Sequence, residues 1–416
     1  MMVPEGWEVK KIADFAKVMG GKRLPEGAEY VIDKTEHPYI RVTDFLERTI
    51  SLADLKYIDE ETHIKVKRYI ISKEDVYISI AGTVGIAGVI PEVLHNGNLT
   101  ENAAKICEIK NVDKDFLSYQ INSDNVQQEI MTYIGAAVQP KLALFRIEKL
   151  QIKIPCLVEQ KKITTILSTL DRTIEATQKL IEKEKMVKKG LMTDLLTHGI
   201  DEQGGIRSPQ THTYVDSPLG MIPEGWEVKA IVNISKTFAG GTPDRGTESY
   251  YSGHIPWVKS GEVNQNKIYD TEEKITEEAL KNSSTKLIKK DTILVAMYGA
   301  TAGQIAYLKI DACSNQAVLA IPINSDCNDF VFYALSYAMP KLLFQAQGSG
   351  QPNLSKQLVD RTLLGMPLSY EQEKIAAILS AQDRKIETEE TNLAKLRNLK
   401  KGLMGDLLSG DVRVKG

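Results

Sequence analysis

Apolar positions in two stretches of this chain recur at alternating steps of four and three. In 157–199 the stripe reads Ile163, Leu167, Leu170, Ile174, Thr177, Ile181, Glu184, Lys188, Leu191 and Leu195. In 368–410 it reads Ile375, Leu379, Gln382, Ile386, Glu389, Leu393, Leu396, Lys400, Leu403 and Leu407. This spacing predicts two long helices, each with a coiled-coil seam. Polar interruptions at Thr177 and Lys188 return at matching depths as Glu389 and Lys400, where buried polar groups set register at some cost in stability. A helix of about 38 residues spans roughly 57 Å. Ser369-x-x-Gln372, just after Pro367, predicts a capping box for the second helix. The first helix has Leu157 in that place, so the cap is not shared. Gly199 and Gly410 fit the position after a helix end.

Elsewhere the period changes. Asp75-Val-Tyr-Ile-Ser-Ile-Ala-Gly82 and Asp291-Thr-Ile-Leu-Val-Ala-Met-Tyr-Gly299 read as matched strands entering Gly-rich turns. The segments 1–156 and 221–367 are therefore expected to be α+β bodies, and 411–416 a tail. Between the copies, 200–220 is rich in Gly, Ser, Thr and Pro and reads as a surface linker.

The pattern is a tandem duplication. Val3-Pro-Glu-Gly-Trp-Glu-Val-Lys10 returns as Ile222-Pro-Glu-Gly-Trp-Glu-Val-Lys229, an offset of 219, whereas 159–197 and 371–409 match at an offset of 212 with 20 of 39 residues identical. The bodies therefore differ by seven residues in length and share few identities, while the helices stay in register. Two equivalent helices in one chain pair most simply with each other. An antiparallel coiled coil would relate the halves by a pseudo-twofold axis.

Composition narrows the function. The chain of 416 residues is 42% hydrophobic and 26% charged, ordinary for a globular protein. No apolar run approaches the roughly 20 residues of a membrane-spanning helix. The first residues lack a basic or apolar leader, so a cytoplasmic location is expected. Cys107, Cys156, Cys313 and Cys327 form no C-x-x-C pair and have no histidine at ligand spacing, which argues against zinc. The net charge of −3 is awkward for a free-standing DNA binder, since phosphate contacts supply most of such affinity. The sequence carries no N-P-P-[YF] or D-P-P-Y for adenine methylation, and no G-x-x-x-x-G-K-[ST] for ATP. Gly82-Thr-Val-Gly85-Ile-Ala-Gly88 follows a strand, but no helix is expected after it, so it reads as a connecting turn.

Several motifs together resemble a known family. They are the two P-E-G-W-E-V-K openings, then Gln139-Pro140-Lys141-Leu142 and Gln351-Pro352-Asn353-Leu354 before the helices. After I-P and M-P come E-Q-x-K-I and K-K-G-L-M-x-D-L-L, once per copy. In that order, twice, over nearly the whole chain, they resemble the specificity subunit of type I restriction–modification systems. The resemblance implies that 1–156 and 221–367 are target-recognition domains, each reading half of a bipartite, asymmetric DNA site. It implies that 157–199 and 368–410 are the conserved helical regions that fix the distance between half-sites. It also implies docking of two methyltransferase subunits and joining of restriction subunits. Catalysis, with S-adenosylmethionine, ATP and Mg, would belong to those partners, with no cofactor in this chain. Unlike reading bodies suit unlike half-sites, whereas identical readers demand a palindrome.

Base reading needs Arg, Lys, Asn, Gln, Ser or Thr on loops or helix ends. Candidates in the first body are Lys22 and Arg23 in a Gly-rich turn, Arg41 and Thr43 after a strand, Lys65, Lys67 and Arg68 in a basic run, and Asn98 and Asn102. Those in the second are Thr242, Arg245, Lys259, Ser260, Asn315 and Gln316. A solvated surface remains an alternative reading for each turn and for the basic run. Lys141 and Asn353 recur at the body–helix junction, where bracing competes with base contact. Lys188-Lys189 and Lys400-Lys401 recur near the helix ends, open to partner docking or plain solvation. The apolar seam residues (Ile163, Leu167, Leu170, Ile174, Ile181, Leu191, Leu195, Ile375, Leu379, Ile386, Leu393, Leu396, Leu403 and Leu407) are candidates for helix pairing or subunit docking.

A rival reading is a non-catalytic coiled-coil scaffold bearing two protein-binding modules, which the neutral charge would suit. Another is a fused enzyme with an unrecognised nuclease site, which would act without partner subunits. Reader and ruler separate in a direct test. Inserting four residues after about Glu175 lengthens the helix by roughly 6 Å. The half-site spacing should change while the bases read in each half stay the same. A change in the bases read would sink the division.

Overall fold

The computed structural model describes residues 4–135, 140–323, 328–346 and 353–414. The chain forms two compact units: Met1–Lys179 with Thr391–Gly416, and Leu180–Glu390. Contiguity along the chain does not set this division. Each unit holds one body, the adjoining half of one long helix and the opposite half of the other.

In the first unit an antiparallel sheet orders Lys17–Gly20, Ala103–Cys107, Val76–Ser79 and Ala87–Val89. A second sheet orders Lys56–Tyr57, Pro38–Ile40, Gly97–Leu99 and Ile70–Ile71. The strand Val76–Ser79 is buried at every position, which is why its sequence does not alternate apolar with charged residues. Helices Lys114–Ile121 and Asp124–Ile134 pack on this core. Asp113 caps the first of them by accepting from Phe116 N–H at 2.8 Å.

The second unit repeats the scheme. Ile293–Ala296, also buried throughout, lies between Val318–Ile321 and Ile305–Leu308. A three-stranded sheet orders Glu273–Ile275, Ile255–Val258 and Cys313–Ser314. One 19-residue helix, Asn328–Ala346, covers the core. In both units the strand after the P-E-G-W motif pairs with the strand before a long helix: Glu8–Lys11 with Gln151–Ile154, and Glu227–Ala230 with Leu363–Met366.

The long helices are Leu157–Thr197 and Ser369–Ser409. Their starts are alike, which corrects the expected capping box. Gln372 Nε2 donates to Pro367 O at 2.7 Å, and Gln160 Nε2 to Pro155 O at 2.9 Å. The glutamine thus reaches back to a proline carbonyl, and the identity of Leu157 or Ser369 is immaterial. Beyond the helix ends Gly199 and Gly410 have φ of 65° and 82°, the left-handed region where glycine is least strained. A Cβ on Gly199 would lie 2.6 Å from the Trp226 ring, so this turn also seats the tryptophan.

Within the first unit Ile163 and Leu167 share an apolar cluster with Leu407, Leu408 and Trp7, against which Leu403 packs. Within the second, Leu195, Leu196, Ile375, Leu379 and Trp226 share another, with Leu191 packed on it. Early residues of one helix meet late residues of the other, so the segments run antiparallel inside each unit. Leu170, Ile181 and Ile386 are also buried, whereas Ile174, Leu393 and Leu396 are half-buried. Among the described residues no helix is long and apolar enough to cross a membrane.

Ile375 is fully buried and Leu399 is 52% exposed, on the same helix. Ile375→Ala should cost roughly 2–5 kcal/mol of stability, and Leu399→Ala less than about 0.5 kcal/mol. Urea-unfolding midpoints compare the two, and equal losses would contradict the burial pattern.

Candidate functional site

The first body carries a cleft, and the second repeats the backbone frame on which it is built. In the first unit Pro38–Ile40 runs parallel to Gly97–Leu99, with Ile40 opposite Leu99. The turn after Lys17–Gly20 lies against the end of this pair. Gly21 N–H donates to Ala103 O at 2.9 Å and Lys22 N–H to Leu99 O at 2.8 Å. A Cβ at Gly21 would stand 2.0 Å from Thr100 O, so the two backbones approach only because residue 21 is glycine. The Tyr39 hydroxyl donates to Lys22 O at 2.7 Å. Burial pushes this phenol up to about 12, which keeps its proton in place. Arg41 follows the strand. Its N–H donates to Asp44 Oδ2 at 2.8 Å, and its guanidinium is held by Asp44 and Asp54. A cleft of about 750 Å³ opens here, lined by Arg23, Tyr30, Tyr39, Arg41, Thr43, Glu101 and Asn102 among others.

The second unit rebuilds the frame with other residues. Ile255–Val258 runs parallel to Cys313–Ser314, with Val258 opposite Ser314. Gly241 N–H donates to Ser314 O at 2.8 Å, and a Cβ at Gly240 would lie 2.2 Å from that oxygen. Trp257 Nε1 donates to Gly241 O at 3.0 Å, doing what the Tyr39 hydroxyl does. Lys259 N–H donates to Glu262 Oε2 at 2.7 Å, matching Arg41 and Asp44.

The side chains on the two frames differ. Arg23 pairs with Glu101 at 2.7 Å in the first unit. In the second, Arg245 pairs with Glu273 at 2.7 Å and lies over the Tyr251 ring at 4.2 Å, while Lys259 pairs with Glu272 and Glu273. Thr242 donates to the exposed Gln316. Ser260 is half-buried, its carbonyl accepting from Thr301, and Asn315 Oδ1 accepts from Ala317 N–H at 3.1 Å. These cations are oriented by carboxylates yet stay on the surface. A guanidinium that spends part of its fork on a carboxylate keeps further donors for a ligand.

Other candidates fall elsewhere. Asn98 is 1% exposed and its amide is engaged by His63 and the Val66 carbonyl, so it braces the interior and offers no free edge. Lys65 forms an i,i+4 pair with Glu61, the ordinary arrangement of a solvated helix face. Lys22, Lys67, Arg68, Lys141 and Asn353 are exposed. Gln139 and Gln351 lie outside the described residues, as does Cys327. Cys107 and Cys313 are buried thiols and Cys156 an exposed one. Among the described residues no three His, Cys, Asp or Glu side chains are grouped to hold a metal. The Gly82–Gly88 segment joins two strands of one sheet.

The junction of body and helices holds two lysines that the sequence left open, and acidic and arginine partners that sequence reasoning passed over. Lys188 and Lys400 turn inward. Lys400 pairs with Asp171 at 2.9 Å, and the Tyr119 hydroxyl donates to that same carboxylate at 2.6 Å. In the second unit Lys188 pairs with Asp383, to which the Tyr333 hydroxyl donates at 2.7 Å. Burial alone would raise the Asp171 carboxyl, but Tyr119, Lys400 and Arg48 together hold it below its ordinary value. At the helix starts Arg413 grips Glu159 with two bonds of 2.8 Å, and Arg207 grips Glu371 in the same two-pronged way. Arg413 draws the Glu159 carboxyl down. The signal was present in part: Asp171/Asp383 and Glu159/Glu371 are identities between the copies at the 212 offset.

Comparison with known proteins identifies the family. The sequence profile of the type I restriction modification DNA specificity domain matches residues 4–184 and 223–398. The putative MjaX type I restriction enzyme specificity subunit of Methanocaldococcus jannaschii is 28% identical over 426 residues, covering 99% of this chain and 95% of the relative. The MjaVIII specificity subunit of that organism is 28% identical over 437 residues, covering 100% and 95%. A type I restriction–modification S subunit structure from M. genitalium superposes with a TM-score of 0.62 at 16% identity, over 98% of both chains. At that identity the likeness speaks for the fold.

Because Asp171 and Glu159 are both held low, what they contribute to stability is complete above their unfolded values of about 3.9 and 4.3, and is lost as the pH falls below them. The urea midpoint should drop between about pH 5 and about pH 3. The drop should be smaller in the D171N/E159Q double variant, which lacks both pairs at every pH. An equal drop would show that other carboxylates carry the acid sensitivity.

Proposed function

The chain belongs to the family of type I restriction–modification specificity subunits, and on that premise we propose that it recognises DNA for a multisubunit enzyme in the cytoplasm. Its bodies act as target-recognition domains, each reading one half of a bipartite, asymmetric site. The observation that carries this reading is one backbone frame, built twice, displaying Arg23, Arg41, Thr43 and Asn102 around a cleft in one unit and Thr242, Arg245, Lys259 and Gln316 in the other. A repeated frame with unlike surface residues is what reading two different half-sites requires.

The long helices are the ruler. The antiparallel contacts inside each unit support a continuous antiparallel coiled coil relating the halves by an approximate two-fold. The helices also dock two methyltransferase subunits, which restriction subunits join. A groove of about 1070 Å³ beside the first long helix, with Lys185, Lys189, Met192, Met221, Trp226 and Leu363 in its walls, offers an apolar floor and a basic rim for such a partner. Methylation, translocation and cleavage, with S-adenosylmethionine, ATP and Mg, lie on those partners. The carboxylate-paired cations of the two frames and the net charge of −3 fit a division in which partner subunits grip most phosphates. Alone, the chain binds DNA weakly.

Co-expression with its methyltransferase partner, followed by mapping of methylated adenines, tests the proposal. A split, asymmetric motif that vanishes without this chain is the expected result. Arg23→Ala should relax base preference in one half only, costing about 1–3 kcal/mol there. No new methylation, in a complex that assembles, would refute the proposal.

A further inference from the structure

The cleft turn Val42–Asp44 runs directly into a hairpin, Phe45–Leu46 with Thr49–Ile50, whose tip is Glu47-Arg48. Arg48 has φ 69° and is 9% exposed. Its guanidinium lies over the Tyr119 ring at 3.3 Å, pairs with Asp115 at 3.0 Å and Asp171 at 2.9 Å, and Nε donates to Ser118 Oγ at 3.1 Å. Beside it Glu47 pairs with Lys400 of the second long helix. One end of this short hairpin is therefore the cleft wall. The other end is fastened to both long helices, through Asp171 on one and Lys400 on the other.

The second unit has a matching strap. The segment Ser260–Gln265 leaves the matching turn at Lys259, Asn266 turns it with φ 62°, and Lys267 pairs with Glu387 of the second long helix at 2.8 Å. Both copies thus return from the reading turn to a long helix through a left-handed residue and a cation. Only the first uses a buried arginine fork. Lysine cannot reproduce it, because an ammonium has no planar fork that stacks flat on a phenol ring while separate nitrogens reach Asp115, Asp171 and Ser118.

Resting on the function proposed above, we propose that Arg48 is a positioning residue that fixes the first cleft on the helical ruler, so that the spacing between half-sites is read through it. One base pair shifts a half-site by roughly 3.4 Å. A misplacement of that size is costly for a rigid reader and tolerable for a loosened one. The inference separates Arg48 from residues that read bases, since the change it predicts is in distance and not in sequence.

The test uses the full chain in complex with its methyltransferase partner. Its substrates carry the natural spacer or one lengthened or shortened by a single base pair. The wild type should prefer the natural spacer by at least about tenfold in kcat/KM. Arg48→Lys should cut that preference to about threefold or less with unchanged bases in both half-sites. Asp115→Asn, which keeps Arg48 and its bond to Asp171, should move the preference in the same direction and serves if the first variant folds poorly. Wild-type spacer discrimination in folded variants, or an altered base preference, would overturn the inference alone. So would loss of folding in both variants, which would make Arg48 a stability element. A wild type that methylates no split site would overturn the functional proposal and this inference together.

Discussion

A long helix with an apolar stripe cannot stand by itself in water, and this chain contains two of them. The rest of the molecule follows from how those stripes are covered. Ile163 and Leu167 are buried with Leu407 and Leu408, and Ile375 and Leu379 with Leu195 and Leu196. Each body is completed by the late part of the long helix that belongs to the other copy, the first by residues near the end of the chain and the second by residues just before it. At each helix start an arginine just past the other helix closes on a glutamate, Arg413 on Glu159 and Arg207 on Glu371. Such pairs gain little from charge alone once desolvation is counted. Their two-pronged geometry specifies register, which a greasy seam leaves loosely defined.

The parts of this arrangement that sequence makes legible are those with a period or a copy. The three-four spacing marks the helices, and the duplicated P-E-G-W and E-Q motifs mark the fold's repetition. The Gly-Gly turns stand out because backbone meets backbone there. Single polar residues are harder to place. Asn98 carries the amide chemistry of a base reader yet is packed under His63, because burial depends on a neighbour 35 residues away. Lys188 and Lys400 look like surface charges until Asp383 and Asp171, on the opposite helix, turn them inward. Arg48 gives no local sign of its role, since Asp115, Tyr119 and Asp171 reach it only after folding.

The clefts resolve the puzzle of charge in a similar way. Arg23, Arg41, Arg245 and Lys259 are present where a nucleic-acid reader would need them, and each has a carboxylate beside it. Neutralisation lowers the general pull on a polyanion, while orientation sharpens the presentation of donors. A surface tuned this way would favour discrimination over grip, which suits the proposed role of a reader held on DNA by companion subunits.

The division of the first unit between distant stretches of chain also orders events during synthesis. Leu180–Glu390 is contiguous, so the unit containing the second body has all its parts once the ribosome has passed residue 390. The unit containing the first body must wait for Leu407, Leu408 and Arg413. Until then the faces of Ile163, Leu167 and Trp7 lack their cover, and nascent chains with uncovered apolar faces are prone to mispairing. The body made first is finished last, and a chain stalled or cut before residue 391 carries an open apolar surface on its older half.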